Sequence, residues 1–412
     1  MAEEKKVIAE LQCNTKGYPS LLITEKKTTL GRCNSACEIS NDTISYTHCS
    51  IITSSIVELV GRPTQRRYYF VDTSTNGSYI NYEKAPAKEA IEIMCFDEIS
   101  LLRPKKDEGA VSYCLIDKEI MKQENEKCHI FDYYKLSNLV GSGGTGTVRK
   151  VYKGKEVYAM KILHYSDLTD KKKSQIEREC EVMSKLNHPN IVKYYQSFSG
   201  IFNKYIVMEF IDGYDLFHIV FTNNLLKEEF IKKIMFEILT ALLYLHSIGI
   251  IHRDLKPENI MIQKESYQVK LTDFGFGRTV DETHRADTMC GTDVYAAPEI
   301  YRGLVYDGCK ADVWSAGVVF FVMATKEYPF MHKSDNNPDK MMVSHIVKGE
   351  RYHYDEFEQR SDLFKDLINN MLNVDPQKRF TVKQCLSHEF FSRKRDKTKN
   401  KLSTEPKKSL QA

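Results

Sequence analysis

The period of the apolar pattern changes part-way along this chain, and that change restricts its architecture more than any other feature. Over the first 117 residues, apolar and β-branched side chains recur in short runs: Val7–Leu11, Ser20–Ile23, Ser50–Thr53, Val57–Val60, Tyr68–Val71, Glu89–Ile93, Ile99–Leu102 and Val111–Ile116. Turn formers such as Gly61-Arg62-Pro63 and Thr75-Asn76-Gly77 separate them, and no helical period occurs. Short strands at regular spacing predict an all-β sandwich. From Phe131 to about Phe391 the pattern becomes strands followed by long amphipathic helices. Ile231–Ser247, for example, places Ile234, Ile238, Leu242 and Leu245 on one face. Between the two patterns lies the charged stretch 118–131, read as a linker with room for one short helix. At 412 residues the chain exceeds one ordinary core. The expected organisation is therefore a sandwich at 1–117, a linker at 118–131, an α+β domain at 132–391 and a Lys-rich tail at 392–412. The tail has only Leu402 and Leu410 as large apolar residues and is expected to be disordered.

Composition narrows the classes of function. A net charge of +3 with 28% charged residues argues neither for nor against nucleic acid. No run of about twenty apolar residues predicts a bilayer span, and the first residues lack both a signal-like apolar stretch and a glycine at the second position. Eleven scattered cysteines fit a reducing compartment. Cys33, Cys37, His48 and Cys49 lie at a spacing that could hold zinc, a lesser alternative because the loop would have to fold back on itself.

The densest chemistry lies in Ile251-His252-Arg253-Asp254-Leu255-Lys256-Pro257-Glu258-Asn259, followed by Asp273-Phe274-Gly275. Asp254 can accept a proton from a hydroxyl, Lys256 can sit on a phosphoryl group, and Asn259 with Asp273 offers hard oxygen ligands for Mg²⁺. A solvated charged loop is the plainer alternative. Upstream runs Gly141-Ser142-Gly143-Gly144-Thr145-Gly146-Thr147-Val148, flanked on both sides by strand-like residues. Glycines there let backbone N–H groups approach phosphates. A dinucleotide fold would need a helix directly after the loop, and none is predicted. A strand, Val157-Tyr158-Ala159-Met160-Lys161, follows, then a helical pattern over Ser174–Leu186 that carries Glu179 and Glu181.

With these pieces in order, residues 132–391 resemble a eukaryotic serine/threonine protein kinase of the calcium/calmodulin-kinase and checkpoint-kinase group. The resemblance implies a bilobal α+β fold that uses ATP and Mg²⁺. It makes Asp254 the catalytic base, with Lys256 and Lys161 on the phosphates and Glu179 as the partner of Lys161. Glu181 is the alternative partner but would point from another helix face. The nucleotide would meet Gly141, Ser142, Gly143, Gly144, Thr145, Gly146, Thr147, Val148, Ala159, Met208, Glu209, Ile211, Asp215 and Glu258, with Asn259 and Asp273 holding metal. Asp312-Val313-Trp314-Ser315-Ala316-Gly317 and the Arg379–Glu299 pair match structural positions of the family. Thr288 is the expected activating phosphosite, ahead of Thr279 and Thr283, with Arg253 ready to bind its phosphate. Two departures bear on substrate preference: Asp293 stands where the family usually has proline, and Val322 where some relatives carry an acid. Asp215 and Glu258 could favour arginine three residues before the target.

In the first 117 residues, Leu30-Gly31-Arg32, Ser45-Tyr46-Thr47-His48 and Asp72 to Asn81 resemble, in that order, a forkhead-associated domain. Asn76-Gly77 alone also fits a plain hairpin turn. The resemblance implies phosphothreonine binding by Arg32, Ser45, Thr75 and Asn76, with His48 bracing the loops from within. Tyr46 stands where relatives often place a basic or amide group. Such a reader joined to a kinase is similar to the checkpoint-type kinases of DNA-damage and meiotic signalling. It implies a phosphothreonine-bearing adaptor or a second kinase copy as partner, protein substrates, a transient homodimer, and a nuclear or nuclear and cytoplasmic location. The run Arg393-Lys394-Arg395-Asp396-Lys397 is a candidate import signal or an ordinary solvated tail. Only Thr64-Gln65 and Ser174-Gln175 match Ser/Thr-Gln sites. The competing class is a phosphopeptide adaptor with an inactive kinase fold. Calmodulin control is not expected, since 392–412 lacks an apolar helix face.

Overall fold

The structure, a computed structural model, describes residues 7–32, 37–39, 41–54, 66–104, 110–143, 146–165, 168–273, 294–303, 306–332 and 338–392. The readings placed on Cys33, Val57–Val60, Thr64-Gln65, Gly144, Thr145, Phe274-Gly275, Thr279, Thr283, Thr288, Asp293 and the basic tail lie outside the described residues. The chain divides into two compact units, Met1–Asn187 with Val192–Ile211, and His188–Ile191 with Asp212–Ala412.

The first unit opens with the expected sandwich. One sheet has six strands in the order Leu21–Ile23, Ala9–Cys13, Ser112–Ile116, Glu98–Ser100, Tyr79–Ile80 and Glu83–Lys84. The other runs Cys37–Glu38, Lys27–Gly31, Cys49–Thr53, Tyr68–Asp72 and Ala90–Ile93. All pairs are antiparallel except Cys37–Glu38 beside Lys27–Gly31. Inward residues of both sheets, among them Leu11, Ile23, Leu30, Ile51, Phe70, Ile99 and Tyr113, form one buried cluster. Tyr68–Asp72 shows the pleat directly, with Tyr68, Phe70 and Asp72 buried and the residues between them half-exposed. Asn76-Gly77 is not a hairpin turn: the strands on either side, Tyr68–Asp72 and Tyr79–Ile80, belong to different sheets. The hairpin turn is Asn81-Tyr82, between Tyr79–Ile80 and Glu83–Lys84.

The charged stretch read as a linker is an 11-residue helix, Lys118–Cys128, followed by the single turn Ile130–Tyr133. Asp117 caps it by accepting from the N–H groups of Glu119 and Ile120. Its Glu124 is fully buried and accepts from the N–H groups of Phe202 (2.5 Å) and Asn203 (3.1 Å). A Cβ on Gly200 would lie 1.5 Å from that carboxylate, so this close approach needs glycine.

A five-stranded antiparallel sheet completes the first unit: Lys135–Gly143, Gly146–Lys153, Glu156–His164, Asn203–Glu209 and Tyr194–Ser199. Helix Asp170–Ser184 lies on one face, where Ile176 and Cys180 pack with Leu163 and Ile206. The opposite face carries Val151, Met160, Ile162, Tyr205 and Val207. These share a buried cluster with Cys95, Phe96, Cys114 and Ile116 of the sandwich and Ile120 of the helix.

The second unit is mainly helical, built on Glu228–Ser247, Gly308–Thr325 and Asp362–Met371, with a small sheet of Gly213–Asp215, Ile260–Gln263 and Val269–Leu271. Gly308–Thr325 is long and apolar enough to cross a membrane, but 89% of it is buried, as in a helix surrounded by core on every side.

Candidate catalytic and phosphopeptide sites

In the second unit the segment 251–259 leaves regular structure, and buried side chains fix its path. Asp312, on helix Gly308–Thr325, accepts from the backbone N–H groups of His252 (2.8 Å) and Arg253 (2.9 Å) and from His246 Nε2 (2.9 Å). Burial alone would lower the His246 pKa; its hydrogen bonds to Asp312 and Cys309 outweigh that and raise it to about 9. Arg253 (φ 66°) and Asp273 (φ 43°) both hold left-handed backbone, a conformation that persists where surrounding bonds over-determine it.

The side chains of this segment then bind one another. Lys256 Nζ lies 2.9 and 2.8 Å from the two carboxylate oxygens of Asp254. Asn259 Nδ2 donates to the backbone oxygen of Asp254 (2.8 Å) and to Oδ2 (2.9 Å). Because its nitrogen is engaged, the oxygen of Asn259 is the end suited to a cation. Thr272, next to Asp273, donates its N–H and hydroxyl to the Asn259 carbonyl at 2.9 and 3.1 Å, tying the two oxygen-ligand positions together in the chain. An amide oxygen and a carboxylate are hard donors that fit Mg²⁺. Asp215 spends one oxygen capping helix Leu216–Thr222 through the His218 N–H at 2.6 Å. Glu258 is exposed, and Val322 is wholly buried in the core. Arg379 grips Glu299 at 2.7 and 2.9 Å, both buried, with its guanidinium 5.0 Å from the Trp314 ring centre.

In the first unit the register of the five-stranded sheet sorts the nucleotide candidates. Val148 pairs with Lys161, Lys161 with Ile206, and Ala159 with Met208. Directly opposed residues share a face, so Val148, Ala159, Lys161 and Met208 lie on the side covered by helix Asp170–Ser184. Glu179 is half-buried on that helix, one turn from Ile176. Glu181 is exposed and pairs with Lys185 at 2.8 Å, and that lysine draws its pKa down. The helix thus presents Glu179, not Glu181, towards the sheet. Thr147 is buried on the opposite face, Ser142 is exposed, and Glu209 accepts from the Lys193 N–H at 3.2 Å. Ile211 ends the first unit. The loop glycines are unlike: Gly146 (φ +150°) would place a Cβ 2.1 Å from the Ile162 carbonyl, whereas Gly141 has nothing within 4 Å. Gly146 is needed by the sheet, and Gly141 leaves room.

At one end of the sandwich three separate loops meet. A Cβ on Gly31 would come within 2.0 Å of the Tyr46 carbonyl, which explains glycine before Arg32. The Arg32 N–H donates to the Ser45 carbonyl at 3.0 Å. Its guanidinium sits 4.7 Å from the Tyr46 ring centre and 3.2 Å from Asp42. Ser45 Oγ accepts from the Thr75 N–H (3.1 Å), and Asn76 Nδ2 donates to the Thr43 carbonyl (2.7 Å). Arg32, Ser45, Thr75 and Asn76 are thereby brought together. His48 is fully buried, accepts from the Ser45 N–H at Nδ1 (3.1 Å), and has its pKa lowered chiefly by that burial. Cys49 is core, its thiol pushed far up by burial. Among the described residues no group of three or more His, Cys, Asp or Glu could hold a metal ion; Cys33 and the Cys37 side chain of the zinc alternative lie outside them.

Sequence reasoning did not single out His246, Glu124 or Arg149. Each owes its importance to a partner far along the chain. For His246 and Arg149 the available signal was an ionisable residue inside an apolar helical or strand pattern; Glu124, in a charged stretch, carried none.

Residues 134–391 match the family model for the protein kinase domain. Over 395 residues the chain is 33% identical to the probable serine/threonine-protein kinase fhkC of Dictyostelium discoideum, covering 93% of this chain but 64% of that protein. Against fhkE of the same organism it spans 53% of the relative's length. The serine/threonine-protein kinase cds1 of Schizosaccharomyces pombe is 31% identical over 344 residues, 78% of this chain and 72% of that kinase. The crystal structure of Rad53 1-466 in complex with AMP-PNP aligns with a TM-score of 0.56 and 28% identity, over 94% of this chain and 100% of that one. A braced catalytic loop preceded by a β-sandwich is the arrangement these likenesses extend over, and the chain belongs to the serine/threonine protein kinases, in the forkhead-associated group of checkpoint type.

Proposed function

We propose that this protein transfers the γ-phosphoryl group of ATP to serine and threonine hydroxyls of protein substrates, and that its sandwich docks it on phosphothreonine. The observation that carries the catalytic half is the Asp254 carboxylate held by both Lys256 and Asn259. Asp254 accepts the proton of the attacking hydroxyl. Lys256, fixed beside it, offers its charge to the phosphoryl group in transit. Lys161, oriented by Glu179, holds the α- and β-phosphates, and the 141–148 loop covers them with backbone N–H groups. Mg²⁺, when held by Asn259 and Asp273, neutralises phosphate charge. In the sandwich, Arg32 releases Asp42 to take a phosphate, Ser45 and Thr75 add hydroxyl donors, and Asn76 sets peptide register.

Recruitment through the sandwich to an adaptor or a second copy raises effective concentration until Thr288 is phosphorylated in trans, and Arg253 then binds that phosphate. The likeness to fhkC and cds1 supports reading this activity as part of DNA-damage, cell-cycle or meiotic checkpoint signalling, with a nuclear, or nuclear and cytoplasmic, location. Transfer of label from ATP to a basic peptide, lost in Asp273→Ala, is the expected result. A purified wild type that labels nothing would leave the adaptor reading in its place.

A further inference from the structure

The sandwich does more than sit beside the kinase sheet: it grips the strand that leads into the Gly-rich loop. Four contacts meet there. The Tyr82 hydroxyl donates to the Leu139 carbonyl at 3.0 Å. Ser142 Oγ, inside the loop, donates to the Asn81 carbonyl. The Leu139 N–H bonds the Glu98 carboxylate, which burial raises in pKa and Arg149 and this N–H partly restore. Arg149, on the return strand and 1% exposed, donates to the Phe96 carbonyl from Nε (3.2 Å) and Nη2 (2.8 Å) and to Ser137 from Nη1 (3.0 Å). The pairing of Lys135–Gly143 with Gly146–Lys153 shifts register on both sides of Leu139, so the sandwich holds this strand where its own ladder is irregular.

The turn that makes the contact is built against local preference. Asn81 (φ 50°) and Tyr82 (φ 73°) are consecutive left-handed residues in a two-residue hairpin loop. Asparagine suits the first position, but glycine is favoured at the second. Asn81 is pinned by Asp97 (2.8 Å) and by the Glu98 N–H (2.9 Å), which sets the direction of Tyr82. Burial and the nearby Glu98 push the Tyr82 phenol up to about 12, so it stays a donor. A tyrosine where the turn favours glycine, with its hydroxyl on the Gly-rich strand, is explained by what it touches.

We propose that Tyr82 is a positioning residue for ATP: the sandwich sets the height of Leu139–Ser142, and with it the affinity of the kinase for nucleotide. This rests on the reading of the chain as an ATP-using kinase. The full-length protein tests it through KM for ATP, kcat and KM for peptide in wild type, Tyr82→Phe and Tyr82→Gly, with melting temperature and phosphothreonine-peptide affinity measured alongside. Tyr82→Phe keeps the ring and loses one hydrogen bond. It should raise KM for ATP by roughly three- to ten-fold, leaving kcat at saturating ATP, peptide KM, phosphopeptide affinity and melting temperature as in wild type. Tyr82→Gly should raise KM for ATP at least as far. Unchanged KM for ATP in Tyr82→Phe overturns the proposal, including the case where only Tyr82→Gly is affected, since ring packing would then suffice. A rise accompanied by a lower melting temperature and lower kcat in Tyr82→Phe also overturns it, as general loosening. A wild type without ATP turnover sinks the kinase reading itself, and this proposal with it.

Discussion

The catalytic loop and the end of the sandwich where Arg32, Ser45, Thr75 and Asn76 meet both gather polar side chains, and they do so by different means. In the catalytic loop the functional side chains hold one another: Lys256 and Asn259 both bond Asp254, a few residues away. In the sandwich, Arg32, Ser45 and Asn76 come from three separate loops; Ser45 and Asn76 bond backbone atoms of other loops, and the Arg32 guanidinium rests on Asp42 and Tyr46 while its own N–H bonds the Ser45 carbonyl. Even the bracing histidines differ in sign. His246 is raised to about 9 through Asp312 and Cys309 against the effect of burial, whereas burial lowers His48. A self-held site should fail when one member is lost. A backbone-held site should lose one contact and keep its shape.

The strongest attempt to break this contrast is Asp254→Asn. Loss of the base and of the Lys256 pairing should cut phosphoryl transfer by about 10³-fold or more, measured as turnover with a peptide substrate. A variant retaining a tenth of the wild-type rate would show that the loop does not depend on mutual pairing. Next is Arg379→Ala, which leaves buried Glu299 unpaired. It should cost about 3–5 kcal/mol of stability in the second unit, seen as a shifted denaturant midpoint, and leave phosphopeptide affinity unchanged. Arg32→Ala should weaken phosphothreonine-peptide binding by about 2 kcal/mol without altering turnover on a short peptide. In cells, Thr288 phosphorylation should fall, and an unchanged level would remove the recruitment step.

The smallest effect concerns pH. His246 has a folded-state pKa above its unfolded value, so its stabilisation is complete below about 6.5 and is lost as pH rises through about 9, roughly 3 kcal/mol at most. His48 has a depressed pKa, so its stabilisation is present above about 6.5 and is lost on acidification. Hydrogen exchange corrected for intrinsic rates should therefore show the catalytic unit loosening towards pH 9 and the sandwich loosening below pH 6.5. His246→Gln should flatten the first slope alone. Equal slopes in both regions would erase the distinction.

The sequence by itself determined what depends on short separations. Strand alternation over residues 1–117, the helical face of Ile231–Ser247 and the 251–259 constellation are set by neighbours within a turn or a strand, and period and spacing expose them. The choice of Glu179 over Glu181 followed from helix geometry for the same reason. Tertiary structure alone decided the rest. The stretch 118–128 reads as polar linker because its organising bonds, from Glu124 to Phe202 and Asn203, reach across 78 and 79 residues of sequence. Arg149 looks like an ordinary strand cation until Phe96 and Glu98 arrive from the sandwich. Tyr82 looks like a poor turn residue until Leu139 accepts its hydroxyl. The energy of a buried charge or a left-handed tyrosine is offset only by atoms brought from far along the chain, and no local window contains them.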